Sequence, residues 1–163
     1  AFWEFTPEIG NTNTPKLRAL SRLRSRPRPA VTLGARLPGT IVARDQIPYV
    51  IRTGYDYEIS HDGKPCIGGN DRGEWVALPA HSPGPFEGTL VVSGTAGAPA
   101  TIAVRINGVE QGRVELAAGD SLHSSSSIPV RIPQGVVVVR LDALQGGFDL
   151  RSVTIGRPAG AHP

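Results

Sequence analysis

The chain has 163 residues, a formal net charge of +3 and an apolar content of 39%, with 20 glycines and 15 prolines. This length suits one domain with its own core plus a short extension, and the composition is that of a turn-rich β protein. Unbroken apolar runs such as Val136 to Val139 are far shorter than the roughly 20 residues that span a bilayer, which excludes a membrane-spanning helix. Cys66 is the single cysteine, so no intrachain disulfide holds the fold.

The first 25 residues predict a strand, a loop and a helix. Ala1 to Phe5 is apolar and aromatic, Thr14 is a suitable N-cap before Pro15, and leucines three residues apart follow on one helix face. A lone strand and helix cannot bury their own apolar faces, so we expect them to pack on another element. Residues 26–36 are rich in Pro and Arg and predict a stiff linker.

Seven of the 17 basic residues lie between Lys16 and Arg36, where no acidic residue occurs. Nucleic-acid binding through such a segment usually needs aromatic side chains among the cations, and none is present here. A solvated helix face that leads into the linker explains the charge. We therefore expect neither a nucleic-acid nor a membrane partner.

From Leu37 onward the sequence predicts strands. Eight short, β-branched segments are mostly bounded by turn residues: Thr40 to Asp45, Glu74 to Leu78, Gly88 to Ser93, Thr101 to Ile106, Gly112 to Leu116, Ser126 to Ile132, Val136 to Leu141 and Leu150 to Ile155. Eight strands suit a jelly-roll β-sandwich. We predict an all-β domain over residues 37–157, preceded by the strand-helix extension and followed by a tail at 158–163.

Two segments between the strands carry distinct signals. The sequence Ile106-Asn-Gly-Val109 predicts a tight hairpin, because Asn-Gly supplies the two positive φ angles of a type I′ turn. The segment from Gln46 to Gly73 has few strand signals and many polar or aromatic residues. Long loops within a compact domain are usually functional, so this segment is predicted to be a binding loop.

Four motifs follow one another between Leu37 and Ile155. They are Leu37-Pro-Gly-Thr-Ile-Val-Ala-Arg-Asp45, Gly73-Glu-Trp-Val-Ala-Leu78, Val104-Arg-Ile-Asn-Gly108 and Gly147-Phe-Asp-Leu-Arg-Ser-Val-Thr-Ile155. In order and spacing they resemble the carbohydrate-binding modules of families 6 and 35. The resemblance implies a β-sandwich that binds a polysaccharide or oligosaccharide and has no catalytic residue. It also implies that Trp75 packs inward.

The same resemblance places three ligands of the family's structural calcium at Val42, Arg44 and Arg151. Two cations and a valine cannot replace the carboxylates that hold this ion, so the site is predicted to be lost and no cofactor is expected. Asp45 and Asp149 lie nearby in the alignment. Either an ion pair, Arg44 with Asp149 or Arg151 with Asp45, ties the sheet edges, or a rearranged metal site remains.

The family's sugar cleft lies among the loops at one end of the sandwich. The resemblance places its sugar-binding Asn at Asp149, next to Phe148, and its two stacking aromatic residues at Gly69 and near Leu122 and His123. Sugar rings pack their C–H faces on aromatic planes, while their hydroxyls need a few polar partners. The usual stacking rings are therefore predicted to be absent.

Three tyrosines of the predicted loop are candidates to replace these rings, Tyr49, Tyr55 and Tyr57. Either Tyr55 and Tyr57 stack on the sugar, or one packs under the loop while the other is merely exposed. Further polar candidates are Asp56, His61, Asp62 and Arg72. The predicted ligand-binding set is Tyr55, Tyr57, Asn70, Asp71, Phe148 and Asp149.

The N-terminal segment carries a second resemblance. Phe2-Trp-Glu-Phe-Thr-Pro-Glu-Ile-Gly10, followed by Leu17-Arg-Ala-Leu20, resembles the eighth strand and last helix of a (β/α)8 glycoside hydrolase of the clan that includes family 5. Trp3 matches a Trp that lines the cleavage subsite of such barrels. The two catalytic carboxylates of those enzymes lie on earlier strands, outside this chain, so no catalytic residue is assigned.

Together these resemblances predict a non-catalytic module of a secreted or periplasmic bacterial glycoside hydrolase. Its partners would be a glycan and a catalytic domain, linked covalently or non-covalently, and residues 1–25 would be the end of the barrel. The alternative is a structural sandwich that has lost sugar binding and braces the barrel. The missing calcium acids and the missing cleft aromatics favour this alternative.

Overall fold

The computed structural model describes residues 34–49, 51–52 and 57–158, with side chains for residues 34–46 and 58–158. The chain divides into two units, Ala1–Val31 and Thr32–Pro163, and all described residues belong to the second. The predicted barrel segment with Trp3 and most of the predicted linker lie outside them. Within the described ranges, no helix combines the length and apolar character needed to cross a membrane.

The described part consists of strands and one 3₁₀ helix. Their bounds are β1 Ala35–Arg36, β2 Gly39–Val42, the 3₁₀ helix Ala43–Tyr49, β3 Ile51–Arg52, β4 Tyr57–His61, β5 Lys64–Asn70, β6 Trp75–Ser82, β7 Phe86–Ala96, β8 Ala100–Ile106, β9 Val109–Leu116, β10 Gly119–Ser124, β11 Ile128–Ile132, β12 Gly135–Gln145 and β13 Phe148–Gly156.

These strands form two sheets. In sheet A the order is β1-β6-β12-β8-β9, and β3 also pairs with β6. In sheet B the order is β10-β7-β13-β5-β4, while β11 also pairs with β7 and β2 with β13. The pair β1 and β6 is parallel, and the other described pairs are antiparallel. This architecture confirms the predicted jelly-roll β-sandwich.

The core lies between the two sheets and follows the alternation of side chains along each strand. In β12, Val137 and Val139 are fully buried, whereas Val136 and Val138 are 60% and 38% exposed. Sheet B contributes the facing layer, with fully buried side chains at Ile41, Leu90, Val92, Leu150, Val153 and Ile155. All of these core side chains belong to one hydrophobic cluster.

The predicted hairpin at Asn107 and Gly108 is confirmed. Their φ angles are 49° and 84°, both in the left-handed region that a type I′ turn requires. The turn joins β8 and β9, whose pairing extends from Ile106 opposite Val109 to Ala100 opposite Leu116.

The prediction of one long loop from Gln46 to Gly73 is wrong. This segment contains two strands of sheet B, β4 and β5, which pair from His61 opposite Lys64 to Tyr57 opposite Gly68. Cys66, Ile67 and Gly68 are consecutive buried residues, so the segment lacks the alternation by which half-buried strands are recognised. Its glycines also weaken the strand signal.

Several predicted strand ends are also wrong, and specific residues explain two of them. The first predicted strand ends at Val42 and not at Asp45, because the β-branched run stops there and the chain enters the 3₁₀ helix. The strand predicted from Ser126 begins at Ile128. The preceding serines bond to backbone instead: Ser125 Oγ accepts from Val92 N at 3.0 Å, and Ser126 Oγ accepts from Glu115 N at 2.9 Å. These bonds hold the serines against β7 and β9 without regular strand pairing.

Trp75 does not pack inward as predicted. The next residue, Val76, is fully buried, and alternation along β6 therefore turns Trp75 to the opposite face of sheet A. There the guanidinium carbon of Arg140 lies 4.2 Å from the centre of the indole ring. Arg140 Nη2 also donates to Asp142 Oδ1 at 2.8 Å, which fixes the cation over the ring.

Candidate functional site

A cavity of about 290 Å³ lies at one end of sheet B. Three segments meet there: the end of β5 and the residue after it, the end of β7 and the turn after it, and the start of β13. The described residues that line the cavity are Gly69, Asn70, Asp71, Thr95, Ala96, Gly97, Ala98, Gly147, Phe148 and Asp149. Four of the six predicted ligand-binding residues are therefore brought together.

A β-bulge shapes the β5 wall of this cavity. Asn70 lies opposite Phe148 and Ile67 lies opposite Leu150, so β5 has one more residue than β13 over this stretch. Gly69 has a φ of 76°, a conformation that bulky side chains rarely adopt. Bulges are frequent beside functional sites, where they redirect side chains. The positive φ angle at position 69 therefore explains why glycine, and not a stacking aromatic residue, occupies it.

Asp149 is held by the side chain of His61 in β4, which also contacts Thr95 in β7. Phe148 and Leu150 are both buried in the core, so alternation directs Asp149 to the other face of sheet B. Its Oδ2 atom lies 2.8 Å from His61 Nε2. The same nitrogen lies 3.2 Å from Thr95 Oγ1. His61 thereby fixes one carboxylate oxygen of Asp149, while Oδ1 has no hydrogen-bond partner within the described ranges.

Gly94 and Gly147 leave room for other atoms of the cavity wall: Gly94 lies against the backbone of Asp149, and Gly147 lies against the side chain of Asp71. A Cβ atom on Gly94 would lie 2.2 Å from the carbonyl oxygen of Asp149. A Cβ atom on Gly147 would lie 2.9 Å from Oδ1 of Asp71. Both distances are shorter than real Cβ contacts. At Gly94 the contacted atom is backbone, so β7 reaches β13 only because this position carries no side chain; at Gly147 a Cβ atom would displace the Asp71 carboxylate.

Asp71 belongs to a short turn that leads into β6. Its backbone N–H donates to Glu74 Oε2 at 3.0 Å, and the backbone N–H of Glu74 donates to the Asp71 carbonyl at 2.9 Å. The residue is exposed, and its carboxylate has no hydrogen-bond partner among the residues that the structure describes. It is therefore available to a ligand.

Asn70 and Phe148 are both buried. Asn70 is fully buried and its Nδ2 donates to the carbonyls of Ile67 and Phe148 at 3.2 and 3.1 Å, which ties the bulge to β13. Its Oδ1 has no partner in the described part of the chain. Phe148 is 3% exposed and belongs to the core, so little of its ring can stack on a sugar.

The other positions named for the cleft lie in different surroundings. Tyr55 lies outside the described residues, and Tyr57 begins β4 opposite Gly68 with its side chain undescribed. His123 is anchored within its own segment: Nδ1 lies 2.8 Å from the carbonyl of Ser121 and Nε2 lies 2.6 Å from that of Ala117. Its ring is therefore held by backbone rather than presented to a ligand.

The residues at the family's calcium positions have protein partners. Arg44 Nε lies 2.6 Å from Glu58 Oε2, and Arg151 Nη1 donates to the Pro65 carbonyl at 2.8 Å. Val42 lies in β2 opposite Ser152. Neither predicted ion pair with Asp45 or Asp149 forms. Across the described ranges, no three His, Cys, Asp or Glu side chains converge as metal ligands. The absence of a cofactor stays a prediction.

The predicted ligand-binding set contains no residue from the β7 wall of the cavity. It is formed by Thr95, Ala96, Gly97 and Ala98, which follow the predicted strand Gly88 to Ser93. A run of small residues just after a strand leaves room for a ligand, and this signal was available. The contact of His61 with Asp149 joins positions 88 residues apart and has no local signal.

No protein-family model and no curated protein sequence matches the chain. Solved structures match its fold. The module CsCBM6-3 from Clostridium stercorarium, determined in complex with cellobiose, is 18% identical with a TM-score of 0.64, over 78% of this chain and 99% of that one. A family 35 module from Clostridium thermocellum is 15% identical with a TM-score of 0.52, over 66% of this chain and 88% of that one.

A third match is the GH26-CBM35 β-(1,4)-mannanase of Podospora anserina. It is 21% identical with a TM-score of 0.59, over 77% of this chain and 29% of that one. The chain has the fold of carbohydrate-binding modules of families 6 and 35. The predicted resemblance is confirmed at this level, and in the mannanase such a module accompanies a glycoside hydrolase. The matches give no support to the predicted barrel remnant at residues 1–25.

Proposed function

We propose that residues 37–157 form a non-catalytic carbohydrate-binding module that holds a glycoside hydrolase near its polysaccharide. The observation that carries this proposal is the cavity at the start of β13, with the Asp149 carboxylate beside it, in a fold shared with solved carbohydrate-binding modules. Tethering raises the local concentration of substrate without any new catalytic group. Such an enzyme would be bacterial and would act in the periplasm or outside the cell, where polysaccharides are found.

The size and lining of the cavity suit one sugar residue. A volume of about 290 Å³ lies at the lower end of the roughly 300–1,000 Å³ of small-molecule sites. Asp71 and Asp149 would accept hydrogen bonds from sugar hydroxyls. Because Gly69 carries no side chain and Phe148 is buried, stacking would depend on the predicted Tyr55 and Tyr57. We expect weak affinity for a single site of this kind.

A structural sandwich that braces a catalytic domain is the second candidate. It is favoured by one observation: no aromatic ring among the described lining residues is exposed to the cavity, since Phe148 is 3% exposed. A sandwich of this kind would keep the fold but would no longer bind a glycan. The two candidates differ in whether the chain binds any glycan.

Affinity gels with a panel of soluble polysaccharides distinguish the candidates. A glycan ligand is expected to retard the full chain, and Asp149→Ala and Asp71→Ala should migrate freely. Glu87→Ala is the matched control. Glu87 is an exposed acid paired with Arg131, and it lies eight positions before Thr95 on the same strand, about 26 Å away. It should be retarded like the wild type.

Tyr55→Ala and Tyr57→Ala test the predicted stacking rings in the same gels. Loss of one stacking ring should cost on the order of 1 kcal/mol, roughly a fivefold loss of affinity. If every variant is retarded like the wild type, the binding site lies on another surface. If no glycan retards the wild type, the bracing function replaces the proposed one.

A further inference from the structure

The side chains that line the cavity offer more hydrogen-bond acceptors than donors. Carboxylate oxygens without a partner in the described part of the chain belong to Asp71 and to Asp149 Oδ1, and the buried Asn70 Oδ1 also lacks one. Both amide hydrogens of Asn70 are directed to backbone carbonyls. Thr95 is the remaining side-chain donor in the described lining, and its hydroxyl already lies 3.2 Å from His61 Nε2. A ligand that bonds to these side chains must therefore supply donors.

The cavity is also negatively charged. Its described lining includes two carboxylates and neither Lys nor Arg. The guanidinium of Arg151, two residues after Asp149, is bonded to the Pro65 carbonyl. His61 contacts Oδ2 of Asp149 but leaves Asp71 without a cationic partner in the described part of the chain. Carboxylates confined in a concave site attract cations and repel anions.

We propose that this cavity selects a sugar residue that carries a free amine, over its neutral counterpart, and rejects an anionic one; the inference rests on the proposed glycan-binding function. A protonated amine brings three donors and a positive charge to a site that presents acceptors and negative charge. A sugar carboxylate would bring a third negative charge beside Asp71 and Asp149, and it would add acceptors that the site cannot satisfy.

The small residues of the lining leave the amine room to reach both acids. Ala96, Gly97 and Ala98 form one wall, and Gly147 admits the Asp71 carboxylate to the start of β13. Acetylation of the amine removes its charge and two of its donors and adds bulk. The N-acetyl sugar is therefore expected to lose the advantage of the free amine.

Four β-1,4-linked oligosaccharides that differ in one substituent test this selectivity. Chitosan oligosaccharides carry a free amine, N-acetylchito-oligosaccharides an acetamide, cello-oligosaccharides a hydroxyl at the same carbon, and glucuronan oligosaccharides a carboxylate elsewhere on the ring. Titration calorimetry of the full chain, at a pH at which the amine is protonated, should show chitosan oligosaccharides binding on the order of fivefold more tightly than cello-oligosaccharides. Glucuronan oligosaccharides should bind more weakly than both.

Asp71→Asn and Asp149→Asn remove one charge each at nearly constant shape. Each should lower the ratio of chitosan-oligosaccharide affinity to cello-oligosaccharide affinity severalfold, whatever its effect on the affinity for cello-oligosaccharides. Glu87→Gln, which removes an exposed charge at the far end of β7, is the matched control and should keep the full preference. The preference should also weaken with added salt.

The outcomes separate this inference from the proposed function. Equal affinity for the amine and the hydroxyl oligosaccharides would overturn the selectivity while glycan binding stands. An amine preference that survives in both Asn variants, or that disappears in Glu87→Gln, would overturn the assignment of selectivity to this cavity. If none of the four oligosaccharides and no polysaccharide binds, the inference and the proposed function both fail.

Discussion

The imidazole Nε2 of His61 lies 2.8 Å from Oδ2 of Asp149 and holds this carboxylate at the rim of the cavity. His61→Ala should free the carboxylate and lower the free energy of unfolding by about 1 kcal/mol, the usual contribution of such a hydrogen bond. It should also weaken glycan binding without removing it, since His61 acts by positioning Asp149. Thermal unfolding and affinity gels measure the two effects.

His61→Gln is the control for this prediction, because an amide nitrogen can replace the ring N–H as a donor. It should recover part of both losses. Should His61→Ala bind glycan as tightly as the wild type, Asp149 would not need this contact to keep its position.

Gly108 and Gly84 form a matched pair for the hairpin. Neither has an atom within 4 Å of an added Cβ, but Gly108 has a φ of 84° whereas Gly84 lies outside the positive range. Gly108→Ala should lower the free energy of unfolding by about 1 kcal/mol or more through backbone strain alone. Gly84→Ala should be neutral or slightly stabilising. Equal midpoints in urea for the two variants would contradict the type I′ assignment.

Cys66 should be unreactive in the folded protein. Burial, as the main cause, raises the pKa of its thiol, while the backbone of His61 and the charge of Arg151 act in the opposite direction. The thiolate is the nucleophile, so labelling with iodoacetamide at pH 8 should be slow in the native chain and fast in urea. Fast labelling of the native chain would mean that the thiol is accessible.

The same raised pKa makes stability depend on alkaline pH. The unfolded thiol ionises near its usual pKa of about 8.5, while the buried thiol holds its proton to higher pH. The unfolded state therefore binds fewer protons above that pH, and stability is lost as pH rises through the folded pKa. Cys66→Ala should lack this part of the alkaline loss, as measured by urea unfolding between pH 7 and pH 10.

Thermal stability should not depend on calcium. Val42, Arg44 and Arg151 stand at the family's ligand positions, and the two arginines have protein partners. A bound ion at a hundredfold excess over its Kd would raise stability by about 2.7 kcal/mol. The melting temperature should therefore be the same in calcium and in a chelator. A drop on chelation that is absent in Asp149→Asn would indicate a rearranged site at Asp149.

Much of the fold was predictable because its signals are local. Short β-branched runs bounded by turn residues mark β12 and β8, and each strand shows this signal within its own residues. Asn107-Gly108 fixes its turn through the φ angles that these residues tolerate. The place of Asp149 in the cleft, by contrast, was predicted from the family resemblance, since the predicted last strand began at Leu150.

The site itself depended on contacts that no local pattern contains. The pairing of β5 with β13 creates the bulge at Gly69 and buries the Asn70 amide, and neither strand specifies its partner. His61 reaches Asp149 only because β4 and β13 both flank β5 in sheet B. Trp75 faces outward because Val76 fills the core position. An aromatic ring is stable on the outer face of a sheet when a cationic side chain packs over it. Long-range packing, which sequence periodicity does not encode, decided these three positions.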